Sequence, residues 1–226
     1  MQFITEHQPV ISIDCKKKEL TGEYKNNGKE WRPVKNPVEV KVIDKTNGKA
    51  VPYGVYDIKN SKGRMNVGIS SDTAAFAVGT VRSWWKNEGQ NEYRDAEKLY
   101  INADGGGSNG VRNRLWKSEL QQFANDTGLI IHVSHFPAGT SKWNKIEHRL
   151  FSYISMNWRG KPLTSLAVIL SLINGTLTQT GLTVKAQLDE NNYPTGIKIS
   201  DEDFEKINIE RNSFHSEWNY ILMFRT

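Results

Sequence analysis

Apolar positions recur every second residue in several short stretches of this chain and every third or fourth residue in others. Residues 10–20 open with Val10-Ile-Ser-Ile and read as a first strand, on which Asp14, Lys16 and Lys18 point to one side. Residues 21–50 are rich in Gly, Asn and Lys, hold no period, and predict an excursion before the next strand. Residues 53–58 and 65–69 alternate as strands around Asn60-Ser-Lys-Gly63, a hairpin signal. Helical spacing follows over 73–87, with Asp72 as cap and Gly89 as stop. Residues 99–103 predict a fourth strand. Residues 111–125 predict an amphipathic helix carrying Trp116, Leu120 and Phe123 and ended by Gly128, and residues 129–133 a fifth strand. Ser141 is suited to cap a helix from about Lys142, with Trp143, Ile146, Leu150 and Ile154 on one apolar stripe. A further helix is expected near 163–174. Beyond it the pattern weakens to short strands at 176–185 and 196–199, a short helix at 201–207 capped by Asp201, and an apolar tail at 218–224 packed on the body.

The early hairpin requires antiparallel pairing, and the later strand–helix–strand unit a right-handed parallel crossover. The fold class is therefore α/β, a mixed five-stranded sheet flanked by helices. A length of 226 residues with 37% apolar content and seven tryptophans suits one domain with a substantial core. The single cysteine, Cys15, rules out an internal disulfide and fits a reducing cytoplasm. No signal-peptide pattern and no run of membrane-spanning length occurs, so no membrane partner is expected. Net charge is +5, and the whole excess lies between Gly105 and Lys161, where eight Lys or Arg face three acids. A phosphate-tracking surface or a solvated basic face would both give that distribution.

Two strands end in an acid. Asp14 ends the first apolar run, and Asp104 ends Leu99-Tyr-Ile-Asn-Ala and is followed at once by Gly105-Gly-Gly-Ser-Asn-Gly110. A charge on a buried strand end is costly without a partner, although each such Asp alone is most often a turn or cap residue. A third acid, Glu147, follows Asn144 by three residues, so the two share an edge of the predicted helix beside a basic ridge of Lys142, Lys145 and Arg149. By itself this segment reads equally as a surface helix with ordinary salt bridges. Together, three carboxylates from distant parts of the chain are a donor set for a pair of magnesium ions, with manganese as a substitute. Two such ions on one phosphate activate the attacking oxygen and stabilise the leaving one.

Other motifs carry less. The glycine run lacks the Gly-Lys-Ser/Thr ending of a P-loop. Its glycines instead allow a sharp turn beside Asp104. Asn109 has two roles open, orienting a phosphate or water and capping the helix that follows. His132, His135 and His148 match no zinc spacing. His148 is placed to touch DNA or water, and His135 to satisfy the loop before the helix. No nucleophile elbow supports Ser-His-Asp chemistry.

Asp14, Asp104 and Glu147 resemble the DDE triad of insertion-sequence transposases, of the ribonuclease-H-like superfamily. Ser12-Ile-Asp-Cys-Lys-Lys-Lys-Glu19 resembles the first catalytic strand of the ISAzo-type bacterial DDE transposases, and Asn102-Ala-Asp-Gly-Gly-Gly-Ser-Asn-Gly110 their second block. Phe136-Pro-Ala-Gly-Thr-Ser-Lys-Trp-Asn-Lys-Ile-Glu-His-Arg149 resembles their third, including the Asn before the Glu, and the similarity runs from about Pro9 to the C-terminus. The resemblance implies a ribonuclease-H-like catalytic core over residues 1–175 with a C-terminal extension over 176–226. It implies metal-dependent cleavage of transposon ends and strand transfer into target DNA. It also implies DNA contacts from Lys16, Lys18, Asn109, Lys142, Asn144, Lys145, His148 and Arg149, and association with a second copy or with full-length transposase. One departure is that nine residues precede the first strand, too few for the end-recognition helices of full-length members. The expectation is a truncated catalytic domain. Two other readings stay open: a metal-dependent nuclease without strand transfer, and a non-catalytic DNA-binding remnant.

Overall fold

The structure, a computed structural model, describes residues 2–43, 48–137 and 139–225, the side chain of Ser141 excepted. The capping role expected of that side chain lies outside the described residues. The strands are β1 (Val10–Cys15), β2 (Glu19–Leu20), β3 (Lys49–Asp57), β4 (Lys62–Gly68), β5 (Lys98–Asp104), β6 (Ile130–Phe136), β7 (Thr183–Asp189), β8 (Ile209–Arg211) and β9 (Asn219–Leu222). They form one sheet in the order β7-β4-β3-β1-β5-β6-β9-β8, with β2 paired to β3. The helices are α1 (Gln2–Thr5), α2 (Ala74–Trp84), α3 (Gln90–Glu92), α4 (Arg114–Thr127), α5 (Ser152–Asn157), α6 (Leu166–Asn174) and α7 (Asp201–Glu205). Among the described residues no helix is long and apolar enough to cross a membrane.

The five inner strands, β4-β3-β1-β5-β6, are those the alternation predicts. β3 is antiparallel to β1 and β4, and β5 is parallel to β1 and β6. This is a mixed α/β sheet of ribonuclease-H-like order. The sheet does not stop at five. β7 continues it beside β4, and β9 pairs antiparallel with β6 and carries β8. The apolar tail expected to pack on the body is thus a strand of the sheet, and residues 196–199 form none. The first strand also ends sooner than expected. Pairing with β3 stops at Cys15, so strand alternation does not govern Lys16 and Lys18.

Each face of the sheet has its own core. Ile11 and Ile13 of β1, Leu99, Ile101 and Ala103 of β5, and Ile131 and Val133 of β6 pack against α2 and α4. Residues of opposite parity face the other way, where Tyr56, Met65 and Val67 meet Ile146, Leu150, Phe151 and Ile154. Strand alternation therefore delivers Ser12, Asp14 and Asp104 to the second face, the one covered by the segment carrying Glu147. Two glycines let that segment come close. A Cβ on Gly54 would stand 2.7 Å from Phe151 Cε1, and one on Gly63 would stand 2.5 Å from Leu150 Cδ1.

The N-caps of α2 and α7 each fall one residue from expectation, whereas Gly128 ends α4 as expected. Thr73, not Asp72, caps α2, its side chain accepting from Phe76 N at 3.3 Å. The helical chain then runs past the expected stop at Gly89, through a π turn (Trp85–Gly89) into α3. Asn113 caps α4 by accepting from Trp116 N, and Gly128 ends it at φ 70°. Ser200, not Asp201, caps α7.

Candidate active site

The third sequence block does not form one continuous helix. Ser141–Trp143 makes a single 3-10 turn, Asn144 lies outside regular structure, and a π turn (Glu147–Phe151) leads into α5. Asn144 and Glu147 are therefore not two positions on one helix edge; Asn144 precedes the helix and accepts from Glu147 N through its carbonyl at 3.2 Å. Trp143 leaves the predicted apolar stripe and is 56% exposed, while Ile146, Leu150 and Ile154 are fully buried.

This break puts the Asn144 side chain against the sheet. Its Nδ2 donates to the Ile13 carbonyl at 3.2 Å, to Asp104 Oδ1 at 3.1 Å and to Asp14 Oδ2 at 3.4 Å. Its Oδ1 accepts from the Ser12 hydroxyl, and the Ser12 oxygen in turn accepts from Ile146 N at 3.1 Å. One fully buried amide thus touches both strand-end carboxylates. Ser12 takes the role of a cap from across the sheet, satisfying a backbone donor that the start of a helix leaves free. The parallel register pairs Ser12 with Asn102, and the same offset sets Asp14 level with Asp104.

The carboxylates are electrostatically strained. Burial, then the charge of Asp104, pushes Asp14 up from 3.8 to about 7, against a 2.7 Å hydrogen bond from Cys15 N. Burial also raises Asp104, opposed by the Asn144 hydrogen bond. Glu147 is raised by burial and by Asp104, and is drawn back by Lys16 and His148. Hard oxygen donors that repel one another favour a divalent cation, whose charge removes the penalty. Asp14 and Asp104 fit such an ion. Glu147 does not close a cage with them, for among the described residues no three His, Cys, Asp or Glu side chains stand close enough to hold a metal.

A cleft of about 1210 Å³ is lined by the two aspartates together with Lys16-Lys17-Lys18, the Gly105–Gly107 loop and Arg112. Glu147 lies outside its lining. The residues expected to meet DNA fall into two groups. Lys142, Lys145, His148 and Arg149 are exposed, with His148 Nε2 bound to the Lys142 carbonyl at 2.5 Å. Lys18 is also exposed and lies 3.9 Å from Asp72. Lys16, by contrast, is buried; its ammonium pairs with Glu19 at 3.6 Å and sits 4.4 Å above the Trp158 ring. Asn109 is buried too and caps no helix. It donates to the Asp104 carbonyl at 3.0 Å and accepts from Tyr53 Oη at 3.1 Å. Sequence reasoning gave Ser12 no role in the site, and it read Asp72, which lines the cleft, only as a helix cap. For Ser12 the usable signal was a lone polar residue on the same strand face as Asp14.

A family model described as the Rhodopirellula transposase DDE domain matches residues 1–223. Neither the curated proteins nor the solved structures yield a match. Transposases of the DDE type cleave and transfer DNA and generally use divalent metal ions. Nearly the whole length is matched, and the sheet has the expected order; the chain belongs to this family of DDE transposase domains, of insertion-sequence type.

Proposed function

We propose that this chain cleaves DNA strands and transfers the freed 3′ end to a target, with Asp14, Asp104 and Glu147 as the acting carboxylates. The observation that supports this best is the buried Asn144 amide, which bonds both strand-end aspartates on the sheet face covered by the Glu147 helix. In this reading Asp14 and Asp104 would hold a pair of magnesium ions in the cleft, with manganese as a substitute, and Glu147, which feels the charge of Asp104 but stands outside that ligand set, would act as the third carboxylate. Such a pair would supply an activated oxygen nucleophile and charge stabilisation of the leaving oxygen. Asn144 keeps the two aspartates oriented toward one point. Lys142, Lys145 and Arg149 hold backbone phosphates and carry little sequence information. The open Gly105–Gly107 loop lets a phosphate approach the main chain closely. Water attack breaks the P–O3′ bond at the element's end, and the released 3′-hydroxyl then attacks a target phosphodiester, expelling its O3′. Residues 1–175 are the catalytic core in this reading, extended by the strands of 176–226.

The test is a labelled duplex incubated with the chain and magnesium. Nicking followed by a joined product is expected, and Asp14→Ala, Asp104→Ala and Glu147→Ala should each abolish both while retaining a cooperative melt. Nicking without joining would replace strand transfer by simple nuclease action. Binding without nicking would leave a DNA-binding protein only.

A further inference from the structure

Asp104 is the last residue of β5, and its carbonyl is the last group before the glycine loop. Two side chains hold that carbonyl: Asn109 Nδ2 at 3.0 Å and His135 Nδ1 at 2.9 Å. The other His135 nitrogen, Nε2, lies 2.9 Å from Tyr220 Oη, and Tyr220 Oη lies 2.9 Å from Trp116 Nε1. All four side chains in this network are nearly or fully buried.

The proton positions follow from what each group can do. A backbone carbonyl only accepts, so His135 Nδ1 carries the proton. A neutral imidazole then has a bare Nε2, which must accept. The indole N–H of Trp116 only donates, so it uses a lone pair of the Tyr220 oxygen, and the single Tyr220 proton points to Nε2. Lys117, adjacent on α4, places its ammonium 5.3 Å from the centre of the Tyr220 ring and donates to the Val111 carbonyl beyond the glycine loop.

We propose that Tyr220 and His135 are positioning residues for Asp104: a one-directional relay, Trp116 to Tyr220 to His135 to the Asp104 carbonyl, sets the peptide plane from which the Asp104 carboxylate projects. Tyr220 belongs to β9, outside the five inner strands, so the C-terminal region orients a carboxylate at the centre of the sheet. The catalytic consequence rests on the function proposed above; the relay itself does not.

The experiment is long-range ¹H–¹⁵N correlation of the histidines in the full chain at neutral pH, with His135 assigned through His135→Asn. Wild type should show Nδ1 protonated and Nε2 bare. Tyr220→Phe keeps the ring but removes the donor to Nε2, and should mix the two tautomers and shift the Asp104 ¹³C′ resonance. Magnesium-dependent nicking by Tyr220→Phe should slow about tenfold at saturating DNA, with KM within about twofold of wild type. His135→Asn retains a donor for the Asp104 carbonyl and should recover most of the rate that His135→Leu forfeits. A protonated Nε2 in wild type would overturn the relay. An Asp104 ¹³C′ shift unmoved in Tyr220→Phe, or an unchanged rate, would overturn the positioning role. If wild type nicks no DNA, the tautomer and the ¹³C′ shift still decide the relay, and only the functional reading falls.

Discussion

Asn144→Asp tests the carboxylate cluster with almost no change of shape. An oxygen then stands where Nδ2 stood, 3.1 Å from Asp104 Oδ1 and 3.4 Å from Asp14 Oδ2. At an effective dielectric of about 20, two unit charges about 3 Å apart repel by about 5 kcal/mol. The folded protein avoids that cost by retaining a proton, since a protonated carboxyl can donate one of the bonds the amide made. The folded-state pKa of the cluster therefore lies above the unfolded value. Stability from such a group is fully present below the unfolded pKa and is lost as pH rises through the folded one. Wild type already carries this signature at Asp14, raised from 3.8 to about 7. That shift corresponds to a fall of at most about 4 kcal/mol across the window, less to the extent that solvent reaches the part-buried side chain. In Asn144→Asp the fall should be steeper and continue above neutrality. The variant should be about 1–2 kcal/mol less stable than wild type near pH 5, from the missing amide hydrogen bonds, and about 4 kcal/mol less stable near pH 8. Urea unfolding followed by tryptophan fluorescence in EDTA, at four pH values between these limits, measures it. A stability difference independent of pH would refute the reasoning, because the new carboxyl would then not face the other two.

Replacing Lys142, Lys145 and Arg149 together by Ala should weaken binding about equally for unrelated duplexes. It should also reduce the slope of log affinity against log salt by roughly 0.9 for each phosphate no longer neutralised; weakening confined to one sequence would mean the ridge reads bases. Gly54→Ala drives a Cβ to 2.7 Å from Phe151 Cε1 and 2.9 Å from Ile146 Cδ1. It should cost about 1–3 kcal/mol in thermal or urea unfolding and should slow nicking more than it weakens DNA binding, since the helix carrying Glu147 is what must move. An unaltered melt would show that the segment yields without strain.

Much of this protein is legible without coordinates. The inner strands and helices α2 and α4 are readable because alternation and helical period are local, and each element repeats its pattern over enough residues to register. Asp14, Asp104 and Glu147 stand out by chemical type and by position at element ends. The tertiary structure alone decided how the site is held. Ser12 and Asn144 are 132 residues apart and Tyr220 and His135 are 85 apart, and no spacing within a segment foretells such contacts. The third block looks like one helix because Trp143 shares the apolar period, yet the chain breaks there so that Asn144 can reach the sheet. β9 is four residues long, with Tyr220 and Leu222 buried in alternation, too short a run to distinguish from an apolar tail. What makes it a strand is the unpaired edge of β6, whose backbone donors and acceptors it satisfies. Local sequence determines which conformations each segment prefers; which segments meet is settled by burial and hydrogen-bond satisfaction across the whole chain.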